Sequence, residues 1–85
     1  MILVESDCYK ADLRGALLID ARMDRARMKR ANLSGANGME CSLRGGELAY
    51  ANLNESDFTG ADLRSVFLGS ATLRDANLSH VKLTG

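Results

Sequence analysis

An all-β chain wound into a coil around its own core is what this sequence predicts, and three observations lead there. A small residue, then usually Asp or Asn, then a large apolar residue returns at every fifth position, as in Ala51-Asn52-Leu53, Ser56-Asp57-Phe58, Ala61-Asp62-Leu63 and Ala76-Asn77-Leu78. The frame extends without a slip over all 85 residues, as seventeen units of five. Proline is absent, which suits a backbone that must pair with coils above and below it. A fixed short period of this kind marks a repeat architecture, with one continuous core shared by neighbouring units.

The period excludes the two common elements. Five residues turn a helix through about 500°, so successive large residues would lie about 140° apart and no helical face would stay apolar. A straight strand alternates sides at each residue, and an odd period throws successive large residues onto opposite faces. What fits is a short extended piece whose small and large residues, two apart, both point inward, followed by a bend in every unit. The period alone leaves three or four units per coil open.

Taken in order, the large position reads Leu3, Cys8, Leu13, Leu18, Met23, Met28, Leu33, Gly38, Leu43 and Leu48 before Leu53, and only Gly38 breaks the rule. The small position reads Ser6, Ala11, Ala16, Ala21, Ala26, Ala31, Ala36, Cys41, Gly46 and Ala51, with Met1, Val66 and Val81 the larger exceptions. The Asp/Asn position and the two residues after the large one are expected to face water, with bends at Gly15, Gly35, Gly45, Gly60 and Gly69. The first unit, Met1-Ile2-Leu3-Val4-Glu5, is also apolar at its outward positions. Residues 1–5 therefore read as an N-terminal cap across the coil bottom, or as a continuation of the wall. An uncapped coil end exposes core side chains and unpaired backbone groups. This leads to the expectation of a homodimer by end-to-end stacking, or of a piece of a longer polypeptide.

These units resemble the pentapeptide-repeat proteins, whose signature is A(D/N)LXX, and the resemblance covers the full length. It implies a right-handed quadrilateral parallel β-helix of about four coils, a single domain over 1–85, with four units per coil. Residues twenty apart would then stack on one face. In that arrangement Gly38 shares a column with Leu18, Phe58 and Leu78, and the Phe58 ring is expected to fill the space Gly38 leaves. A local bulge at Asn37-Gly38 is the alternative.

Lys plus Arg and Asp plus Glu both number 11, so the formal net charge is zero and no global field recruits nucleic acid or an anionic membrane. Residues 1–43 carry seven basic and six acidic groups, residues 44–85 four and five. No stretch approaches the roughly 18 apolar residues of a membrane span, and Met1–Val4 is too short for a signal peptide, so a cytoplasmic protein is expected. Cys8 and Cys41 fall at inward positions on different faces and read as buried thiols, since a disulfide needs Cα atoms within about 7 Å.

The surface offers candidates for contact rather than chemistry. Leu17 stands where the repeat prefers Asp or Asn, and Ile19 and Met39 should stack as outward neighbours; Leu17, Ile19 and Met39 together form a candidate interaction patch. Tyr9, Tyr50 and Phe67 are weaker candidates on a second face. The cluster Arg22, Arg25, Arg27, Lys29 and Arg30 against Asp24 is a basic band, of which Arg22, Arg27 and Lys29 could meet a partner. The stacking places Asp7 and Glu47 beside Arg27, Arg44 beside Asp24, Glu5 beside Arg25 and Tyr50 beside Arg30, so most of the band is expected to be self-neutralised. His80 is the single histidine and lies at a corner. Ser79, His80 and Asp75 project apart, and the glycines form no phosphate-cradling cluster. No catalytic, cofactor-binding or metal-ligating residue is assigned, and the protein reads as a non-enzyme.

The leading functional expectation is a rigid scaffold whose flat faces meet a protein partner of unknown identity. The resemblance supplies an alternative, a DNA-mimicking modulator of DNA gyrase of the quinolone-resistance type. Those rods are strongly acidic and form long dimers, whereas this chain is neutral, carries an arginine band and is short. A structural spacer within a larger protein is the second alternative.

Overall fold

In the computed structural model, which describes residues 2–83, every unit contributes its second residue to a parallel ladder. Ile2 pairs with Arg22, Asp7 with Arg27, Asp12 with Asn32 and Leu17 with Asn37, and the same twenty-residue step continues to Asp62 with Lys82. Four units therefore close each coil. We number the four faces by their first units: face 1 holds residues 2–5, 21–25, 41–45, 61–65 and 81–83; face 2 holds 6–10, 26–30, 46–50 and 66–70. Face 3 holds 11–15, 31–35, 51–55 and 71–75, and face 4 holds 16–20, 36–40, 56–60 and 76–80. The ladder contacts are single-residue bridges rather than extended strands. A five-residue unit spends two residues on its turn and directs two side chains inward, which leaves one residue free to pair on both sides.

Backbone bonding shows why the unit closes on itself. In the unit beginning at Ala26, the Arg27 N–H donates to the Ser6 carbonyl in the coil below (2.8 Å), and Met28 and Arg30 donate to Glu47 (2.7 Å) and Ala49 (2.9 Å) above. The Ala31 N–H then donates back to Met28 at 3.0 Å and forms the corner. One donor per unit, the fourth N–H, has no partner in this scheme. The Asp or Asn two residues earlier supplies it: Ser34 donates to Asn32 Oδ1 (3.0 Å), Asn54 to Asn52 (2.9 Å) and Thr59 to Asp57 (3.0 Å). This Asx bond is the physical reason for Asp and Asn at the second position. Where Ser42 and Thr72 stand instead, the Arg44 and Arg74 N–H groups find Asp24 Oδ1 (3.1 Å) and Asn54 Oδ1 (2.9 Å) in the preceding coil.

Each corner also needs a left-handed residue. From Glu5 to His80 every fifth residue has φ between 55° and 72°, and only Gly15, Gly35, Gly45 and Gly60 among them are glycine. An L-residue held there costs roughly 1–2 kcal/mol. Gly69 sits one place earlier in its turn, and Ser70, with φ 59°, takes the left-handed position.

Inside, the small and large columns pack as continuous stacks with Leu18, Met23, Met28, Leu33, Leu43, Leu48 and Leu53 buried. Size is balanced along a column. A Cβ built on Gly38 would overlap Cε1 of Phe58 and lie 2.5 Å from its Cδ1, while Phe58 itself is 1% exposed. The ring thus occupies the place of the missing side chain. The ladder through Leu17, Asn37 and Asp57 stays in register, so there is no bulge. At Gly46 the crowding comes from the preceding unit instead: an added Cβ would lie 3.0 Å from the Leu43 carbonyl oxygen and 3.4 Å from Leu43 Cδ2, with Val66 Cγ2 at ordinary contact distance, 3.7 Å. The one buried polar residue of the core columns, Ser56, donates its hydroxyl to the Leu53 carbonyl at 2.6 Å.

The first unit lies in the wall. Ile2 bridges Arg22, and the Leu3 and Glu5 N–H groups donate to Arg22 (2.7 Å) and Asp24 (3.0 Å). Residues 2–5 thus do not cross the coil end as a cap would; the remainder of that reading, Met1, lies outside the described residues. The body measures 27 × 24 × 23 Å, about as tall as it is wide.

Two stability measurements follow from this architecture. Ser65→Gly and Ser70→Gly should each raise the unfolding free energy in urea by about 0.5–1 kcal/mol, because relief of the left-handed strain exceeds the added chain entropy. Gly15→Ala, whose Cβ would meet nothing within 4 Å, should lower it by a similar amount through φ alone. Gly38→Leu should cost about 1–3 kcal/mol by overpacking. Combining it with Phe58→Leu should recover most of that loss, and additive losses in the double variant would refute the size balance.

Candidate functional site

With the interior filled, what the molecule can do resides on its outward residues. Among the described residues no group of three or more His, Cys, Asp or Glu side chains is placed to hold a metal ion. Ser79 and His80 lie at the corner after face 4, Asp75 at the corner before it, all exposed, and the Ser79 N–H is engaged with Asn77 Oδ1 at 3.0 Å. An apolar mouth of about 210 Å³ opens at the last coil, lined by leucines including Leu63, Leu68, Leu73 and Leu78 together with Phe58. It contains no group that could act on a substrate.

The structure brings Leu17, Ile19 and Met39 together on face 4. Leu17 is 75% exposed and Ile19 50%, and Met39 is half-buried beside them. Ile19 and Met39 occupy the same position of successive coils, joined through the Asp20 N–H to the Met39 carbonyl at 3.0 Å. Leu17 is also a departure from the bonding scheme. It occupies an Asx position, and among the described residues no side chain accepts the Ile19 N–H.

The second group divides. Tyr9 and Tyr50 lie at the corner between faces 2 and 3, where the Lys10 amino group sits 5.4 Å from the Tyr9 ring centroid and the Arg30 guanidinium 4.6 Å from that of Tyr50. Phe67 is exposed on face 2 itself, next to Glu47 in the ladder. Arg27 and Lys29 are exposed on face 2 and Arg22 on face 1. The expected self-neutralisation holds for one pair of the band, Arg25 with Glu5 at 3.5 Å. Arg27 is bracketed by Asp7 and Glu47 in the ladder, yet neither side chain reaches ion-pair distance among the described residues. Asp24 is taken by the Ser42 hydroxyl and the Arg44 N–H rather than by a guanidinium. Exposed pairs are worth about 0.2–1 kcal/mol against the entropy of two long side chains, so adjacency alone does not pair them.

Firm pairing occurs instead within single units. Arg14 Nη2 meets Asp12 Oδ2 at 2.8 Å and Arg64 Nη2 meets Asp62 Oδ2 at 2.7 Å. Hydrogen bonds from Arg14 hold the Asp12 carboxyl down at about 2, and those from Arg64 likewise lower Asp62. Cys8 and Cys41 are both free thiols, Cys41 buried and Cys8 half-buried. Burial pushes the Cys41 thiol up from 9.0 to about 12, and burial also raises Cys8.

The sequence matches the family described as Pentapeptide repeats (8 copies) over residues 6–45, 39–75 and 51–85. The chain is a pentapeptide-repeat protein. Its fold is similar to the crystal structure of a pentapeptide repeat protein, Rfr23, from the cyanobacterium Cyanothece 51142, with a TM-score of 0.94 at 25% identity over 95% of this chain and 55% of that one. It is similar also to AT2G44920, a pentapeptide repeat protein from the Arabidopsis thaliana thylakoid lumen, with a TM-score of 0.57 at 22% identity over 94% of this chain and 59% of that one. The pentapeptide-repeat chain thus spans little more than half the length of either. No curated protein matches it. No helix among the described residues is long and apolar enough to cross a membrane.

The Cys41 environment sets a pH response. An unfolded thiol ionises near its ordinary 9.0, while the folded Cys41 stays protonated until about 12. Its contribution to stability is therefore complete below pH 9 and declines as pH rises towards 12. Urea titrations across that interval should show a steeper loss of stability in the wild type than in Cys41→Ala. In native protein at pH 8, alkylation followed by mass spectrometry should label Cys8 well before Cys41.

Proposed function

We propose that this pentapeptide-repeat protein is a non-enzymatic scaffold that presents side chains on a fixed grid to a protein partner, with Leu17, Ile19 and Met39 on face 4 as the contact. The winding is taken as right-handed and four-sided, as in the family, and the site of action as the cytoplasm. The observation carrying the reading is Leu17. At an Asx position a leucine forgoes the bond to the fourth N–H and places an apolar side chain in water, 75% exposed. Ile2 and Phe67 make the same departure, 72% and 65% exposed; at Leu17 it is joined by Ile19 and Met39 on successive coils, and a contiguous apolar group of this kind points to a contact outside the fold. The basic side chains of faces 1 and 2 do not supply the acidic surface that DNA mimicry requires.

Leu17→Asp combined with Ile19→Asp and Met39→Asp tests the proposal, because aspartate at residue 17 restores an Asx acceptor and should leave the fold intact by circular dichroism and melting. Immobilised wild-type protein should retain a partner that the triple variant loses by at least about tenfold, the loss expected when a central apolar contact is removed. A control with Asn32→Asp and Thr72→Lys on face 3 should retain it. Equal capture by the triple variant would overturn face 4 as the contact.

A further inference from the structure

A formal charge of zero conceals a charge separation across the body. Faces 1 and 2 together carry nine of the 11 basic side chains and five of the 11 acidic ones, while faces 3 and 4 carry two and six. The separation is sharpest at two corners ten residues, or half a coil, apart. The corner between faces 2 and 3 presents Lys10, Lys29 and Arg30 with no acidic residue in the first two coils. The diagonally opposite corner, between faces 4 and 1, presents Asp20 and Glu40 with no basic residue in those coils. All five side chains are exposed, and none is in an ion pair among the described residues.

We propose that copies of this chain associate side by side, the basic corner of one seated against the acidic corner of the next. The proposal rests on face 4 and its corner being a contact surface, and it names the partner as a second copy. Three features favour this occupant over any other anion or cation. The two corners are complementary in sign and lie at matching heights, Lys10 with Asp20 in the first coil and Arg30 with Glu40 in the second. Both charge rows repeat at the coil spacing, about 4.8 Å, so each of the two coils can bring a charge in one copy against its counterpart in the next. Each corner also carries its own apolar companion: Tyr9 and Tyr50 beside the cations, Ile19 and Met39 beside the carboxylates, all outward-facing. A polyanion would use the first corner and leave the second unexplained.

Diagonal placement fixes the kind of assembly. A contact between two different patches of the same chain is heterologous, and patches on opposite sides of the body extend an open row rather than close a dimer. This differs from end-to-end stacking, which would use the coil ends and leave all four faces free. The attraction is between exposed charges, so salt should weaken it.

Light scattering across a concentration series tests the proposal. At low salt the average mass should rise with concentration above the 9.2 kDa monomer. At about 1 M salt, where the Debye length is about 3 Å, it should return to the monomer value. Lys10→Glu with Arg30→Glu leaves both corners net acidic, two glutamates outweighing Lys29, and Asp20→Lys with Glu40→Lys leaves both basic; each variant alone should stay monomeric. All four residues already hold left-handed φ values, so the exchanges replace one L-residue by another and should not disturb the corners. Mixed in equal amounts, the two variants should regain association, since each corner then meets its complement. A monomeric wild type at low salt would overturn the proposal, as would association of either variant alone at the wild-type level or a mixture that stays monomeric. Should self-association fail while the Leu17, Ile19 and Met39 substitutions still abolish capture of another protein, the scaffold reading would stand and self-pairing would fall.

Discussion

The structure depends on one accounting constraint: five backbone N–H groups per unit and no regular element to absorb them. The turn takes one, the coil below takes one and the coil above takes two. The fourth N–H must be met by a side chain or by water. Every other regularity of the chain follows from how that scheme closes. Twenty residues per coil keep each carbonyl over its donor, the corner demands a left-handed residue at every fifth position, and the remaining donor selects Asp or Asn two residues ahead of it. A one-residue insertion anywhere would put all later donors out of step, which is why the period shows no slip over the whole chain.

The same stacking lets side-chain size be traded between successive coils. Along a column, neighbours are about 4.8 Å apart, close enough that a large residue in one coil occupies space left by a small one in the next. Phe58 over Gly38 is the instance in this chain. Within a coil the neighbouring unit also sets limits, as where an added Cβ at Gly46 would press on the Leu43 carbonyl oxygen and Cδ2. A core substitution therefore has to be judged against residues twenty positions away as well as against its sequence neighbours.

Much of this was legible in the sequence because the inward positions are repetitive. The period gave the coil, and the twenty-residue step implied by the family resemblance gave the Gly38–Phe58 pair. The Asx bond escaped, because an Asp or Asn facing water looks like ordinary solvation until the unpaired N–H two residues on is counted. Of the site residues, Leu17, Ile19 and Met39 fall together as the step of twenty requires. The basic band did not pair as adjacency suggested, because Asp24 is held by Ser42 and the Arg44 backbone and exposed arginines gain little from fixing their geometry. The corner charges of Lys10, Arg30, Asp20 and Glu40 went unread because the sequence was divided end to end, whereas the charge is sorted around the axis.

Fold and surface are therefore governed by different positions of the same unit. The first and third residues are fixed by the core and the fifth by its φ, while the fourth presents an N–H to be met and, at Asp24 and Asn54, an acceptor for the next coil. The second residue is where the two demands meet, since its side chain either serves the backbone or serves something outside. Ser42 and Thr72 abandon the Asx role without leaving the next donor unmet, because the preceding coil supplies Asp24 and Asn54. Leu17 abandons it with no such replacement among the described residues and stays exposed. Ile2 and Phe67 make the same uncompensated departure, but Leu17 makes it with Ile19 and Met39 stacked beside it on successive coils, and it lies beside the acidic corner rather than the basic one. That placement is why face 4, despite carrying no basic residue, is the side from which contact is argued.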